Sequence, residues 1–167
     1  MMKVVFLDRD GVINSNANHY YVFKKNDFEL NPGVLESLQR MVKNGYSLII
    51  ISNQGGISKG IYTKKDLENL DKYMLDLFDK SNIQIIESYY CPHHSDIEKC
   101  ICRKPESLLI EKAVAKYKID KESSIMIGDS DRDIQAAKKA GIKALKVKAN
   151  ANLFDEIAKS EFSFLIA

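Results

Sequence analysis

Lys3-Val4-Val5-Phe6-Leu7-Asp8-Arg9-Asp10-Gly11 decides the reading of this chain. An apolar, β-branched run stops abruptly at two acids and a glycine. A buried parallel strand delivers polar groups to the carboxyl edge of its sheet in this way. The design recurs twice: Ser47 to Ile51 runs into Ser52-Asn53-Gln54-Gly55-Gly56, and Ser124 to Ile127 runs into Gly128-Asp129-Ser130-Asp131-Arg132-Asp133. Working outward, strands are predicted at 3–7, 47–51, 85–90, 124–127 and 144–147, with a weaker one at 162–166. Helical spacing predicts helices over 33–44, 64–80, 106–117, 131–140 and 153–159, with Thr63 as an N-cap and Gly45 and Gly141 just past helix ends. Strict alternation of the two predicts an α/β fold, a three-layer Rossmann-like parallel sheet with helices on both faces.

At 167 residues, 45% hydrophobic and 29% charged, the expectation is one domain, 1–167, around one core. Twenty-five basic against 23 acidic residues leave a net charge of +2, which makes no electrostatic case for nucleic acid or an anionic membrane as partner. No apolar stretch is long enough to span a bilayer, and the N-terminus enters a strand at once without the layout of a signal peptide. A cytoplasmic monomer acting on a small metabolite is the expectation. Residues 12–31, polar and aromatic, and 91–105, which hold all three cysteines, break the strand–helix pattern. Irregular segments of that length are commonly functional.

The chemistry lies at the strand ends. In an extended chain Asp8 and Asp10 project to the same side, and two anions so close need a cation or a shared proton. Magnesium suits them, with Asp129 as a third carboxylate and Asp133, in the first turn of a helix, holding a metal-bound water. A carboxylate can itself attack phosphorus, and a second acid then protonates the leaving oxygen and activates water. The pattern offers Asp8 as nucleophile and Asp10 as acid/base. Ser52 and nearby backbone amides would hold a phosphoryl oxygen, and Lys104 would neutralise its charge. Each motif alone is more often a turn, a solvated acid pair or a helix cap. All three at the ends of successive apolar runs are hard to explain that way.

Cys91-x-His93 followed by Cys100-x-Cys102 offers three sulfurs and an imidazole, a tetrahedral zinc set closed to water and therefore structural. His94 is the alternative to His93. Such a zinc would shape the loop 91–102 and present Arg103 and Lys104 to a substrate.

These residues resemble the haloacid dehalogenase superfamily of phosphatases. Phe6-Leu7-Asp8-Arg9-Asp10-Gly11 is similar to its first motif, Ser52 to its second, Lys104 to its third, and Gly128-Asp129 with Asp133 to its fourth. The resemblance implies an aspartyl-phosphate on Asp8, magnesium held by Asp8, the Asp10 carbonyl and Asp129, and a fold without a large cap domain. Phe6 to Asn14, His19-Tyr20-Tyr21-Val22, Ser52 to Ile57, Tyr89 to His94 and Cys102 to Pro105 are similar to the heptose 1,7-bisphosphate 7-phosphatases, whose substrate belongs to lipopolysaccharide-precursor carbohydrate metabolism. The cysteine cluster and the Arg-Lys-Pro run are shared with histidinol-phosphate phosphatase domains, which makes histidinol phosphate the first alternative substrate, another small sugar phosphate the second, and His93 the favoured zinc ligand. On this basis Arg103 would bind the non-reacting phosphate bidentately. Asn18, His19, Tyr20, Tyr21, Asn53, Gln54 and Gly55 would contact the rest of the substrate. A signalling receiver domain also uses an acceptor aspartate near a hydroxyl and a lysine, but it places its acidic pair and its acceptor on different strands.

Overall fold

The computed structural model describes residues 1–167. Five strands, β1 (Val4–Leu7), β2 (Ser47–Asn53), β3 (Ile85–Cys91), β4 (Ile125–Gly128) and β5 (Lys143–Lys146), form one sheet in the order β3-β2-β1-β4-β5. All neighbouring pairs are parallel. β1 lies at the centre, and every residue of β1 and β4 is buried, which explains why both read as unbroken apolar runs.

Helices cover both faces, as the alternation predicts. On one face α1 (Val34–Lys43), α2 (Lys64–Lys80) and α5 (Leu153–Ala158) pack on Val5, Leu7, Leu48, Ile50, Ile125 and Ile127. On the other, α3 (Leu108–Tyr117) and α4 (Asp131–Ala140) cover Val4, Phe6, Ile49, Ile51 and Met126. Alternate residues of each strand thus serve opposite layers. α4 meets the sheet through Ala136, Ala137 and Ala140, small side chains that let its first turn come close to the strand ends. Thr63 caps α2 as its sequence predicts: its Oγ1 accepts from the Asp66 amide at 3.1 Å, and the Asp66 carboxylate accepts from the Thr63 amide at 2.8 Å.

The predicted strand at 162–166 is corrected. Ser163–Leu165 is a 3-10 turn, and Phe162, Leu165 and Ile166 bury their side chains against the α1/α5 side. Their spacing of three and four is that of a turn presenting one face, whereas a strand needs a spacing of two. Between β1 and α1 the only regular piece is a 3-10 turn at Lys25–Asp27, so no cap domain is inserted there. No helix is long and apolar enough to cross a membrane.

The register positions the site. Leu7 sits opposite Ile50 of β2 and Ile127 of β4. Asp8, Ser52 and Asp129 therefore leave the sheet along one edge, where the strand order turns from β1 toward β4.

Candidate active site

A pocket of about 230 Å³ opens at that edge, lined almost wholly by polar side chains. Lys104 is its electrostatic centre. Its Nζ lies 2.8 Å from Asp8 Oδ1 and 2.6 Å from Asp133 Oδ1, and it donates to the Ile51 carbonyl at 2.7 Å. Burial alone would lower the ammonium pKa, but Asp8 and Asp133 outweigh it and hold Lys104 above its ordinary value. The contact with Asp133 Oδ1 is a close ion pair without hydrogen-bond alignment, since that oxygen has no hydrogen-bond donor. The other oxygen, Oδ2, accepts from the Ser130 amide at 3.0 Å and from Ser130 Oγ at 2.9 Å, closing the capping box of α4.

Burial pushes the Asp8 carboxyl well above the usual carboxylate range; Lys104 opposes this, while Asp133 and Asp129 add to it. Asp129 is raised by burial and then by Asp133. One oxygen from each of Asp8, Asp129 and Asp133 lies within 4.8 Å of the others, with a single ammonium against three acids. Hard oxygen donors with uncompensated negative charge fit a magnesium ion. Gly11 makes the approach possible: its φ is +88°, and a Cβ there would lie 2.2 Å from Asp129 Oδ2.

Asp10 is held by donors alone. Arg9, itself buried, reaches Oδ1 at 2.9 Å and ties the loop to the Val22 carbonyl at 2.6 Å. Asn14 donates to Oδ1 at 3.0 Å and Gln54 to Oδ2 at 2.9 Å. The Gln54 amide also donates to Ser52 Oγ at 2.9 Å, joining the first and second strand ends.

Next to this lies a sulfur cluster. Cys91 ends β3 directly opposite Asn53 of β2, and the backbone N–H of Gln54 donates to the Cys91 carbonyl at 2.7 Å. Cys91 Sγ is 3.1 Å from Cys102 Sγ and 3.7 Å from Cys100 Sγ, and His93 Nδ1 is 3.3 Å from Cys102 Sγ. Ligands around a tetrahedral zinc, with bonds of about 2.0–2.3 Å, stand about 3.5–3.8 Å apart; two of these separations are a few tenths of an ångström shorter, and three sulfurs with one imidazole are a donor set that zinc takes. His93 groups with the three sulfurs, whereas His94 faces the pocket and its Nδ1 accepts from the Asp96 amide at 3.1 Å.

Of the residues expected from sequence, Asp8, Asp10, Ser52, Asn53, Gln54, Gly55, Tyr20, Tyr21, Arg103, Lys104, Asp129 and Asp133 converge on the pocket. Arg103 donates to the His93 carbonyl at 3.0 Å and has no carboxylate partner. Asn53 is engaged at both ends of its amide with the Lys104 backbone, at 2.9 and 3.0 Å, so it positions Lys104. Asn18 and His19 are not brought in. They line a separate depression with Asp27 and Glu29, and His19 Nε2 faces Asp27 Oδ1 at 3.5 Å. The chain turns at Tyr20, so only the two tyrosines face the acids.

Sequence reasoning missed Asn16, Tyr62, His94, Ser130 and Arg132 as lining residues. Tyr62 carried no signal, because an apolar residue before an N-cap reads as a hydrophobic staple. Arg132 reads as a solvated first-turn residue until α4 is docked.

A family model described as "HAD-hyrolase-like" matches residues 101–163. The chain is 43% identical to a D-glycero-alpha-D-manno-heptose-1,7-bisphosphate 7-phosphatase of Photorhabdus laumondii, over 84% of this chain and 79% of that protein. It is 40% identical to a D-glycero-beta-D-manno-heptose-1,7-bisphosphate 7-phosphatase of Helicobacter pylori, over 98% of this chain and 90% of that one. Among solved structures, the D,D-heptose 1,7-bisphosphate phosphatase from B. bronchiseptica, complexed with magnesium and phosphate, superposes with a TM-score of 0.83 at 28% identity, covering 96% of this chain and 88% of that one.

Proposed function

This chain belongs to the haloacid dehalogenase-like phosphatases, in the family of the D-glycero-D-manno-heptose-1,7-bisphosphate 7-phosphatases, and on that premise we propose that it removes the 7-phosphate of such a heptose bisphosphate. The observation that carries the reading is the ammonium of Lys104 set between Asp8 and Asp133, with Asp10 two residues beyond Asp8 on the same strand end. The unit that does this is residues 1–167, one phosphatase domain with a zinc-binding loop at 91–102.

An Asp8 carboxylate oxygen attacks phosphorus, and the bond to the sugar oxygen breaks on the opposite side. Asp10 gives its proton to the departing alkoxide, leaving an aspartyl-phosphate on Asp8. Asp10 then takes a proton from water as the water attacks phosphorus, which frees phosphate and restores Asp8. Ser52 Oγ and the backbone amides after it hold the phosphoryl oxygens. Lys104 offsets their charge and that of Asp8. Asp8, Asp129 and the Asp10 carbonyl would hold a magnesium ion, which when bound would further neutralise the phosphoryl group. Cys91, His93, Cys100 and Cys102 hold a zinc whose work is structural. Arg103, facing the pocket without an acidic partner, takes the phosphate that does not react.

The test is phosphate release from heptose 1,7-bisphosphate and histidinol phosphate side by side, with magnesium present. Preference for the bisphosphate, and release of one phosphate only, is the expected result. Preference for histidinol phosphate would replace the substrate while leaving the phosphatase chemistry in place.

A further inference from the structure

Tyr62 sits 5% exposed under the pocket, outside every motif that carries the chemistry. Its ring stacks on Phe23 with centroids 4.9 Å apart and planes 10° from parallel. It fills a slot that only glycine leaves open, since a Cβ on Gly56 would lie 2.2 Å from Tyr62 Cε1. Its hydroxyl donates to Gln54 Oε1 at 2.5 Å. The opposite end of that amide, Nε2, donates to Asp10 Oδ2 and to Ser52 Oγ, both at 2.9 Å.

A carboxamide has nearly the same shape either way round, so its neighbours decide which end faces where. Asp10 and Ser52 require a donor. Turned over, the amide would set its oxygen against the Asp10 carboxylate. Arg9 and Asn14 both donate to Asp10 Oδ1, and Arg9 also reaches Oδ2 at 3.2 Å; Gln54 makes the shorter bond to Oδ2 and is the donor that ties it to Ser52. A buried phenol with one acceptor at hand locks the amide in the donating orientation, and burial raises the pKa of Tyr62, which keeps it a donor.

We propose that Tyr62 is a positioning residue for the reaction: its hydroxyl orients Gln54, and Gln54 holds the Asp10 carboxyl at the angle from which it serves the leaving oxygen. The inference rests on the phosphatase reading, with Asp10 as proton donor. It names a residue that touches neither substrate nor reacting atoms in its role.

The signature is a dependence on the leaving group. An alkoxide needs the proton that Asp10 gives; 4-nitrophenolate leaves without one. Tyr62→Phe keeps the ring and its stacking and removes only the hydroxyl. Measured on glycerol phosphate and heptose 1,7-bisphosphate, kcat/KM, which reports transfer to Asp8 and not the later attack by water that all esters share, should fall on the order of tenfold. On 4-nitrophenyl phosphate the loss should be no more than about threefold. In a Gln54→Leu background, adding Tyr62→Phe should cost nothing further, because the two act through one path. Equal losses on alkyl and aryl esters, or full additivity with Gln54→Leu, would overturn the proposal. Should Tyr62→Phe fail to fold, Gln54→Leu carries the same alkyl-against-aryl comparison. Wild-type turnover of the heptose ester tests the function reading separately, since glycerol phosphate and the aryl ester test Tyr62 whatever the natural substrate is.

Discussion

Two clusters suited to metal lie side by side in this molecule and are built in opposite ways. Asp8 is remote in the chain from Asp129 and Asp133, yet the three sit on the ends of buried strands β1 and β4 and on the first turn of α4. Cys91, His93, Cys100 and Cys102 are close in the chain, but only Cys91 belongs to a regular element, and residues 95–99 are exposed. The core holds the acids together against their own repulsion, with Lys104 between them. The sulfurs are held less evenly: Cys91 is buried in the core at the end of β3, but the loop that brings Cys100 and Cys102 back to it has its tip in solvent. A site whose geometry is made by the core survives loss of its ion; a site whose geometry is made by the ion does not. On the proposed reading the acid cluster could exchange magnesium, while the sulfur cluster would depend on a zinc for its shape.

The sharpest way to break this contrast is Asp8→Asn. The amide keeps the shape and cannot attack phosphorus, so turnover should fall at least about 10⁴-fold while the thermal unfolding curve keeps its cooperativity. Turnover within tenfold of wild type in the folded protein would remove Asp8 as nucleophile.

Lys104→Ala should come next, with a loss on the order of 10²-fold for heptose bisphosphate and for 4-nitrophenyl phosphate alike. Removing the one cation from a buried cluster of acids should also cost about 3–5 kcal/mol of stability, read from denaturant unfolding without magnesium. Added magnesium should restore more stability to this variant than to the wild type. If it does not, the acids are not its binding site.

Zinc removal should have a smaller effect on activity and a different signature. Protein purified without added zinc is expected to carry about one zinc per chain by metal analysis. Cys102→Ser, or extraction by a strong chelator, should lower activity about tenfold to a hundredfold. Far-UV circular dichroism should stay close to native, because the sheet and its helices do not depend on the loop. Absence of zinc, with Cys91 and Cys102 freely reactive to thiol reagents, would sink the soft half of the contrast.

The smallest effect is the most selective. Arg103→Ala removes a charge-assisted contact worth roughly 1.5–3 kcal/mol, about tenfold to a hundredfold in kcat/KM for heptose bisphosphate. The aryl phosphate, which has no second phosphate, should lose far less. Equal losses would place Arg103 in support of the loop through its bond to the His93 carbonyl.

Much of the molecule was open to local reading. Continuous apolar runs located β1, β2 and β4 because a strand covered on both faces has no polar period to hide it. Acids at the ends of β1 and β4, with hydroxyl and amide side chains at the end of β2, marked the candidate site because an abrupt change from apolar to polar is itself a local signal. The cysteine spacing revealed its cluster because all four ligands lie in one short segment. The approach to the C-terminus misled because Phe162, Leu165 and Ile166 make an apolar patch that is too short for its period to be told from that of a strand.

What the sequence by itself determined is the set of elements and the chemical character of their ends, since both follow from burial and periodicity within a few residues. Tertiary structure alone decided which ends meet. It placed Lys104 between Asp8 and Asp133, turned Asn53 onto the Lys104 backbone, carried Asn18 and His19 away from the acids, and set Tyr62 beneath Gln54. Those distances depend on strand order, register and the path of the irregular segments. Each closes a loop between residues remote in the chain, and no local pattern records where such a loop will close.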